Sequence, residues 1–534
     1  MQRAVERVGL FAALALAAVA RAPAFLLGVE HYGDSPVRVE LAERWAAAPH
    51  LFRGFSEAYQ FGPLHLSLLG AALRIWPARF WSPRLVSLAC GLLGVWLLFR
   101  IAARTLGARP ALCAACVLAL SPLHIQASTS SASEAVFLAL FLAALDRLLA
   151  ARESGAAQEA GALPGPAPTL VAGGGAGARR GPLTAAAVLL GAAGLVRYDG
   201  WLYVPLFCGL LLLDWRKGRR PLFDVVWFGA LSALPAALWL WQNHRFGGAL
   251  APLRHIDLDH RGLAAMGLGW YGPVGYRLYC LVYWPAAMLI LASPVAGALA
   301  LVGAARTLFR RAPGWELAAL GWIPAAYFTF RGAVLADFRP LARFAMVAMA
   351  LSLPFAWSAV LWLAARGGPR LLRAAVALGA CALVATPAAL AFASFGRNGG
   401  AAEWARPLSP ISSVPPGIAQ AARYLREHAG PDDVVLLDGV WDYLDIPLAF
   451  ESGLPESRLV RRAWDNFEER LTQTPPTMAV LIYQGKLQTT SGAAGAVETA
   501  DRFEFRGTPF CAGAKFVYAS IYRRCAGAEA AKVQ

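Results

Sequence analysis

Apolar runs about as long as the 20 residues a helix needs to cross a bilayer fall at 8–28, 82–103, 110–126, 133–150, 183–197, 200–214, 222–242, 278–303, 315–331, 342–364 and 371–394. The pattern predicts an α-helical polytopic membrane protein with about eleven transmembrane helices. A shorter apolar stretch, 62–76, is flanked by Pro63 and Pro77. It reads as an extra helix within the first outer loop, 29–81. Charge decides the parity. With a cytoplasmic N-terminus and eleven spans, the inner connections hold Arg100, Arg104 and Arg109; Arg152, Arg179 and Arg180; Arg216, Lys217, Arg219 and Arg220; Arg306, Arg310 and Arg311; and Arg366, Arg370 and Arg373. Counting 62–76 as a span would put these clusters outside, against the positive-inside rule. The inner loop 151–182 is Ala/Gly/Pro-rich and aperiodic, which predicts a flexible segment. The first run follows Arg3 and Arg7. Its apolar core is long and Arg21-Ala22-Pro23-Ala24 is a poor cleavage site, so it reads as a retained span.

Beyond about residue 395 the period changes. A helical pattern opens after Pro415-Pro416-Gly417 and stops at Gly430-Pro431. Strands are expected at 434–437, 478–483 and 516–523, and a helix at 464–471. Residues 396–534 therefore form a small α/β domain outside the membrane, after a transmembrane domain over 1–395. Cys511 and Cys525 are its only cysteines. In an oxidising compartment such as a periplasm they are expected to form a disulfide. The other six cysteines lie in or beside spans and read as small packing residues.

Composition agrees with a membrane protein. Of 534 residues, 58% are hydrophobic and 15% charged, against about 25% charged in soluble domains; mean hydropathy is +0.49. The net charge of +16 is almost all arginine. It suits cytoplasmic loops and anionic lipid. No basic patch with interleaved aromatics stands on a soluble segment, which argues against nucleic acid.

Several polar residues stand where the spans end. Asp34 follows the first span, and Ser35-Pro36 can begin a helix with Val37, Leu41 and Trp45 on one face. That predicts a helix lying along the membrane surface. The acid either caps it or serves chemistry. Glu134 opens the fourth span behind a Ser-rich loop, where it either complements the helix dipole or acts on substrate. Arg197, Arg339 and Arg343 stand at outer helix ends, against the topology signal. A guanidinium fork suits phosphate oxygens; ion pairs of Arg197 with Asp199 and of Arg339 with Asp337 are the alternatives. Tyr59 and His65 flank Phe61-Gly62-Pro63-Leu64 in the first outer loop. The fourth outer loop holds His255-Ile256-Asp257-Leu258-Asp259-His260, then Trp270 and Tyr271 in a Gly-rich stretch. His and Asp at this spacing look like metal ligands, but short acidic pairs are frequent by chance. The aromatic pair suits stacking on a sugar or anchoring at the interface.

Taken in order, these features resemble the GT-C superfamily of membrane glycosyltransferases, in the branch of protein O-mannosyltransferases and the lipid A aminoarabinose transferase. The resemblance is carried by Asp34 and the helix after it, Phe61–His65 in place of Pro-Pro-Leu, Pro83-Arg84-Leu85-Val86-Ser87, Ser121-Pro122-Leu123-His124, the Arg197-Tyr198-Asp199-Gly200-Trp201 turn, Arg343-Phe344 and an outer α/β domain. It implies an inverting transferase that uses a polyprenyl-phosphate sugar. Asp34 would be the general base, with Glu134 beside it or orienting the acceptor. Arg339, Arg343 and Arg197 would take the leaving phosphate; Tyr59, His65, His255, Trp270 and Tyr271 would contact substrate. Phosphate leaves readily, so no metal or other cofactor is expected. The implied partners are the bilayer, the lipid-linked sugar and a glycan, lipid or protein acceptor; the implied location is a bacterial inner membrane. Two rivals are carried. Trp441-Asp442-Tyr443 resembles part of an oligosaccharyltransferase motif, but Val440 and Leu444 stand where that motif has Trp and Gly. A secondary transporter would place charges near mid-membrane and show repeated halves, and the chain has neither.

The topology predicts that alkaline phosphatase fused after Arg219 is inactive while the same reporter at the C-terminus is active. The reverse pattern would move the arginine clusters outside and remove the eleven-span arrangement.

Overall fold

The computed structural model describes residues 2–30, 34–50, 61–161, 175–247, 251–366, 379, 416–438, 444–461, 467–484, 488–489, 496–498, 502–516 and 519–525. By their contacts the residues divide into two compact units. One comprises Met1–Gly28, Arg38–Gly396 and Glu403–Ile411; the other comprises Val29–Val37, Arg397–Ala402 and Ser412–Gln534.

Helices build the first unit. In chain order they are α1 (Gln2–Leu27), α2 (Ser35–Ala47), α3 (Pro63–Ile75), α4 (Ser82–Leu106), α5 (Ala108–Leu120), α6 (Pro122–Thr129), α7 (Ser133–Gly161), α8 (Gly175–Val196), α9 (Tyr203–Arg216), α10 (Leu222–Gly247), α11 (Ala251–Leu291), α12 (Pro294–Arg310), α13 (Trp315–Phe330), α14 (Met346–Ser352) and α15 (Pro354–Ala364). Among the described residues four helices are long and apolar enough to cross a membrane, or six if two bent pairs each count as one span. The protein is a polytopic membrane protein. Helices do appear where the surface helix after Asp34 and the extra helix 62–76 were expected, as α2 and α3. The two pack together through Ala42, Leu69 and Leu73.

Several spans are less regular than their apolar runs suggest. The expected span 278–303 is two helices, broken at Ser293, whose φ is 80°. Pro294 has no N–H to continue α11, and its ring disfavours helical backbone at the residue before it. Ser293 Oγ then accepts from Ala296 N at 3.3 Å and caps α12. The run 110–126 bends by 61° at Ser121-Pro122, and 342–364 bends by 53° at Pro354, after a 3-10 turn at Ala342–Ala345. In each case a proline stands at the first position of the new helix, where the missing N–H costs nothing. The expected fourth outer loop is largely helical. It forms most of α11, which breaks at Gly272 (φ 67°). Only glycine adopts that backbone without strain, and Pro273 starts the second half. Apart from Gly379, the expected span 371–394 lies outside the described residues.

The second unit holds α16 (Pro416–His428), α17 (Asp445–Ser452), α18 (Phe467–Gln473) and a sheet of eight strands, β1 (Val435–Asp438), β2 (Leu459–Arg461), β3 (Met478–Gln484), β4 (Gln488–Thr489), β5 (Ala496–Glu498), β6 (Arg502–Phe505), β7 (Thr508–Lys515) and β8 (Ala519–Arg524). Their order is β2-β1-β3-β8-β7-β6-β5, with β4 on β3. The β2-β1-β3 strands are parallel and the rest antiparallel. Alternation divides each strand between two layers. Val435, Leu437 and Val480 meet Ile418, Leu425 and Leu448 of α16 and α17. Leu436, Ala479 and Leu481 face the other way, toward Phe510, Tyr522 and, from α18, Phe467 and Leu471. Cys511 and Cys525 form the disulfide, with Cα atoms 5.2 Å apart. The expected strand 516–523 starts at Ala519. The short strands β2 and β4–β6 carry too few residues to show an alternation, and the eight-residue β7 interrupts its own with Pro509 and Ala512-Gly513-Ala514, so the pattern missed all five.

Within this unit Asp445 Oδ2 accepts from Arg461 Nε at 3.1 Å and Nη2 at 3.0 Å, and both residues are buried. Breaking a buried ion pair on one side costs about 3–5 kcal/mol. Asp445→Ala should therefore unfold this unit at distinctly lower denaturant than wild type, followed by protection of its backbone amides in the full chain; equal protection would mean that the pair does not hold this unit together.

Candidate functional site

The second outer loop of the sequence reading is held by buried arginines. Arg21 of α1 is fully buried and donates to Ala17 O at 2.9 Å, Ala119 O at 3.0 Å and Ser128 Oγ at 2.8 Å; its Nη2 lies 2.6 Å from His124 Nδ1. Arg84 donates from Nε to Thr129 O at 2.6 Å and from Nη2 to Ala24 O at 3.2 Å, and packs over Phe80. Ser87 Oγ donates to Ala132 O at 3.3 Å. The Arg84-Leu-Val-Ser87 and Ser121-Pro122-Leu-His124 motifs thus serve one task. The bend before α6 removes carbonyls from the helical ladder, and these side chains satisfy buried carbonyls around it. The chain then enters α7 with Glu134 in its first turn.

Glu134 is buried and accepts from Arg197 Nη1 at 2.6 Å. Arg197 also donates from Nε to Asp199, at 3.0 Å to Oδ1 and 3.4 Å to Oδ2. One guanidinium therefore holds two carboxylates. The turn that positions it begins as α8 ends at Val196, and Tyr198–Leu202 form a single 3-10 turn. Gly62 secures this from the first outer loop. A Cβ there would lie 2.2 Å from Leu195 O and 2.6 Å from Val196 O, so only glycine permits the approach. Tyr198 Oη donates to Phe61 O at 3.3 Å and accepts from Trp239 Nε1 at 2.9 Å. On the same segment His65 is fully buried, with Nδ1 3.5 Å from Arg38 Nη1, and Arg38 lies over the Phe61 ring at 4.4 Å.

Arg343 belongs with this cluster. The ring of its neighbour Phe344 lies 5.2 Å from the Arg197 guanidinium. Phe344 also meets His260, at 5.8 Å, and Phe338, at 5.5 Å. Arg339 is buried and lies 4.5 Å over Trp270. Tyr276 donates to Phe338 O at 2.8 Å and Tyr279 to Pro340 O at 3.3 Å, fixing the extended segment that presents both arginines. Tyr271 stacks on Tyr279 at 5.1 Å.

The expected residues fall into three sets. Glu134 and Arg197 bind each other, Arg343 lies close to them, and His65 lies on the segment anchored to the Arg197 turn. Arg339, Trp270 and Tyr271 gather around the 338–340 segment. Asp34 stands just before α2 and is grouped by its contacts with the second unit. Tyr59 lies outside the described residues, as does the side chain of His255. The alternative partner weighed for Arg197, Asp199, is in place. The one weighed for Arg339 is not. Asp337 takes Arg331 instead, through Nε and Nη2 at 3.0 Å each, and Arg331 reaches Asp257 at 3.4 Å. Asp257 also binds Arg261 at 2.7 Å. Its carboxylate thus answers two guanidiniums. Sequence reasoning passed over Arg331 and read His260 only as part of a metal-like spacing. Read as a helix, the spacing of Asp257, His260 and Arg261 would have shown one face; read as a loop, it showed none.

Comparison with known proteins agrees with this frame. The family model for dolichyl-phosphate-mannose-protein mannosyltransferase matches residues 61–163, the stretch from Phe61 past Glu134. No curated protein matches the chain. ArnT from Cupriavidus metallidurans, in a structure bound to undecaprenyl phosphate, is similar over 97% of this chain and 98% of its own, at 15% identity and a TM-score of 0.56. The archaeal oligosaccharyltransferase AglB from Archaeoglobus fulgidus, in complex with an inhibitory peptide and a dolichol-phosphate, is similar over 89% of this chain and 69% of its own, at 14% identity and a TM-score of 0.53. The chain has the fold of the GT-C glycosyltransferases.

Arg197→Ala would leave Glu134 and Asp199 without their shared cation, at a cost of about 3–5 kcal/mol for a buried pair broken on one side. Thermal unfolding of the purified protein should fall clearly below wild type. Arg197→Lys should recover part of the loss, because a point charge does not span both acids. A lysine variant as stable as wild type would show that the fork is not needed.

Proposed function

We propose that this chain with the GT-C fold is an inverting glycosyltransferase that moves a sugar from a polyprenyl-phosphate donor to an acceptor hydroxyl at the outer face of a membrane. The observation that carries the reading is the buried Glu134–Arg197–Asp199 cluster with Phe344 of the Arg343-Phe344 turn against it, within a fold that matches nearly the whole of a structure bound to undecaprenyl phosphate. Eleven spans, an inner N-terminus and an outer α/β domain over 396–534 complete the proposal, in a bacterial inner membrane. The acceptor is a glycan, a lipid or a protein.

In this reading the donor tail stays in the bilayer and its phosphate sits at the interface. Asp34 takes the proton of the acceptor hydroxyl as the oxygen bonds to the anomeric carbon. The bond from that carbon to the phosphate oxygen breaks with inversion, and the lipid phosphate leaves. Arg339 and Arg343 meet the growing negative charge. The stack on Trp270 holds the Arg339 guanidinium flat while its N–H edges stay available. Arg197 holds the Glu134 carboxylate in place, which suits a role in orienting the acceptor. His65, Trp270 and Tyr271, with Tyr59 and His255 from the same loops, contact substrate. No metal is required by this route.

The likeness to AglB supports a second reading, transfer of a lipid-linked glycan to a protein. The acceptor found to be labelled decides between them.

Asp34→Asn should lower sugar transfer by about 10²- to 10⁴-fold, the usual worth of a positioned general base, with membrane insertion and thermal unfolding unchanged. Transfer at the wild-type rate in a folded Asp34→Asn protein would remove Asp34 as the base.

A further inference from the structure

At the end of the helical bundle that the proposed topology places inside, α12 packs along α15. A Cβ at Gly303 would strike Phe355 O, so the two backbones touch there. One turn further along α12 stands Arg306, and two turns further along α15 stands Trp362. The Arg306 guanidinium lies 5.3 Å from the Trp362 ring, and that of Arg366 lies 3.9 Å from it. Arg310 follows one turn after Arg306, and its neighbour Phe309 is 86% exposed. Leu361 and Leu363 flank Trp362 and are exposed as well. From this corner α13 runs 16 residues, about 24 Å, before the chain reaches Arg331 and the segment of Arg339 and Arg343.

The corner differs from the other inner clusters in having no acid. Arg100 and Arg180 also lie over rings, at 4.6 and 4.9 Å, but each also meets a carboxylate, Asp146 at 3.2 Å and Asp224 at 4.0 Å. Among the described residues Arg306, Arg310, Arg311 and Arg366 meet none. No Asp or Glu stands in the sequence between Asp259 and Glu316 or between Asp337 and Glu403, and Glu316 takes Arg152 at 3.7 Å. The α12 dipole favours cations in its last turn. Against that, Arg306 and Arg310 stand at i and i+4, where like charges repel, and Arg366 brings a third charge to the same ring. Stacking occupies the face of a guanidinium and leaves its N–H edges for phosphate oxygens.

We infer that Arg306, Arg310 and Arg366 around Trp362 bind the phosphate headgroup of an anionic phospholipid, with Phe309 set among its acyl chains. Basic pockets between membrane helices take such headgroups. The exposed apolar side chains beside the arginines favour a lipid over a free anion. The site is separate from the one proposed for sugar transfer, from which α13 divides it. The leaflet it faces follows from the proposed topology, whereas the binding itself does not depend on that topology.

The test is titration of the full-length protein, purified in detergent and stripped of lipid, with phosphatidylglycerol and with phosphatidylcholine, counting bound lipid by native mass spectrometry. Wild type should take phosphatidylglycerol in preference to phosphatidylcholine. Arg306→Gln with Arg366→Gln should weaken phosphatidylglycerol by about fivefold for each arginine lost, with phosphatidylcholine unchanged. Arg366→Gln alone, exposed just beyond the end of α15, should give its own fivefold loss and serves if the double variant unfolds early. Arg216→Gln with Lys217→Gln removes two exposed charges after α9 and should leave phosphatidylglycerol binding unchanged. Four outcomes overturn the site. These are no preference for phosphatidylglycerol in wild type, unchanged binding in the folded Arg366 variants, an equal loss in the Arg216 and Lys217 variant, which would mark diffuse charge, and displacement of the lipid by an equal concentration of inorganic phosphate, which would mark a free-anion site.

Discussion

The structure depends most on one ionic contact, the guanidinium of Arg197 between the carboxylates of Glu134 and Asp199. Buried ions persist only when paired and hydrogen-bonded, and Glu134 and Arg197 are both nearly inaccessible. The contact joins the start of α7 to the end of α8, two segments separated by the aperiodic inner loop. It also has a price in backbone, since Gly62 must lie against the carbonyls of Leu195 and Val196 to hold the turn in place. Each partner of the ion pair is thus set by a different element, and the pair reports whether those elements have docked.

A second constraint comes from broken helices. Proline restarts the chain at Pro122, Pro294 and Pro354, and each break removes backbone groups from the helical ladder. In apolar surroundings such groups require internal partners. Arg21 donates to Ala119 O just before the first break, Arg84 and Ser87 donate to Thr129 O and Ala132 O where α6 gives way to α7, and Ser293 caps its own break. The arginines of the chain therefore do three kinds of work. Arg21 and Arg84 satisfy backbone; Arg197 and Arg331 hold carboxylates; Arg339 and Arg343 are carried by aromatic rings, Trp270 and Phe344, beside those groups.

The same division appears at the other charged clusters. The carboxylate of Asp146 is buried among Arg100, Arg104 and Arg147, at 3.2, 2.9 and 3.3 Å, and Asp214 takes Arg152 at 2.7 Å. Two of the expected inner arginine clusters are therefore also structural. A rule that counts positive charge for topology sees these residues, but it does not show that an acid on a neighbouring helix holds each one.

The sequence by itself determined the membrane class, the helical and α/β partition, the disulfide and the placing of Arg197, Glu134, Arg339 and Arg343 at helix ends. These follow from local quantities: apolar run length, period, cysteine count and charge at a helix end. The breaks at Ser121-Pro122 and Ser293-Pro294 were also written locally, but a continuous apolar run hides them because hydropathy does not register a lost N–H. Only the tertiary structure decided who meets whom. Asp337 pairs with Arg331, six residues back across a turn, rather than with Arg339, two residues on, because the backbone reverses at Leu335–Ala336 and sets Arg339 against Trp270. Pairing and burial are properties of elements brought together, and no spacing along one strand of sequence encodes them.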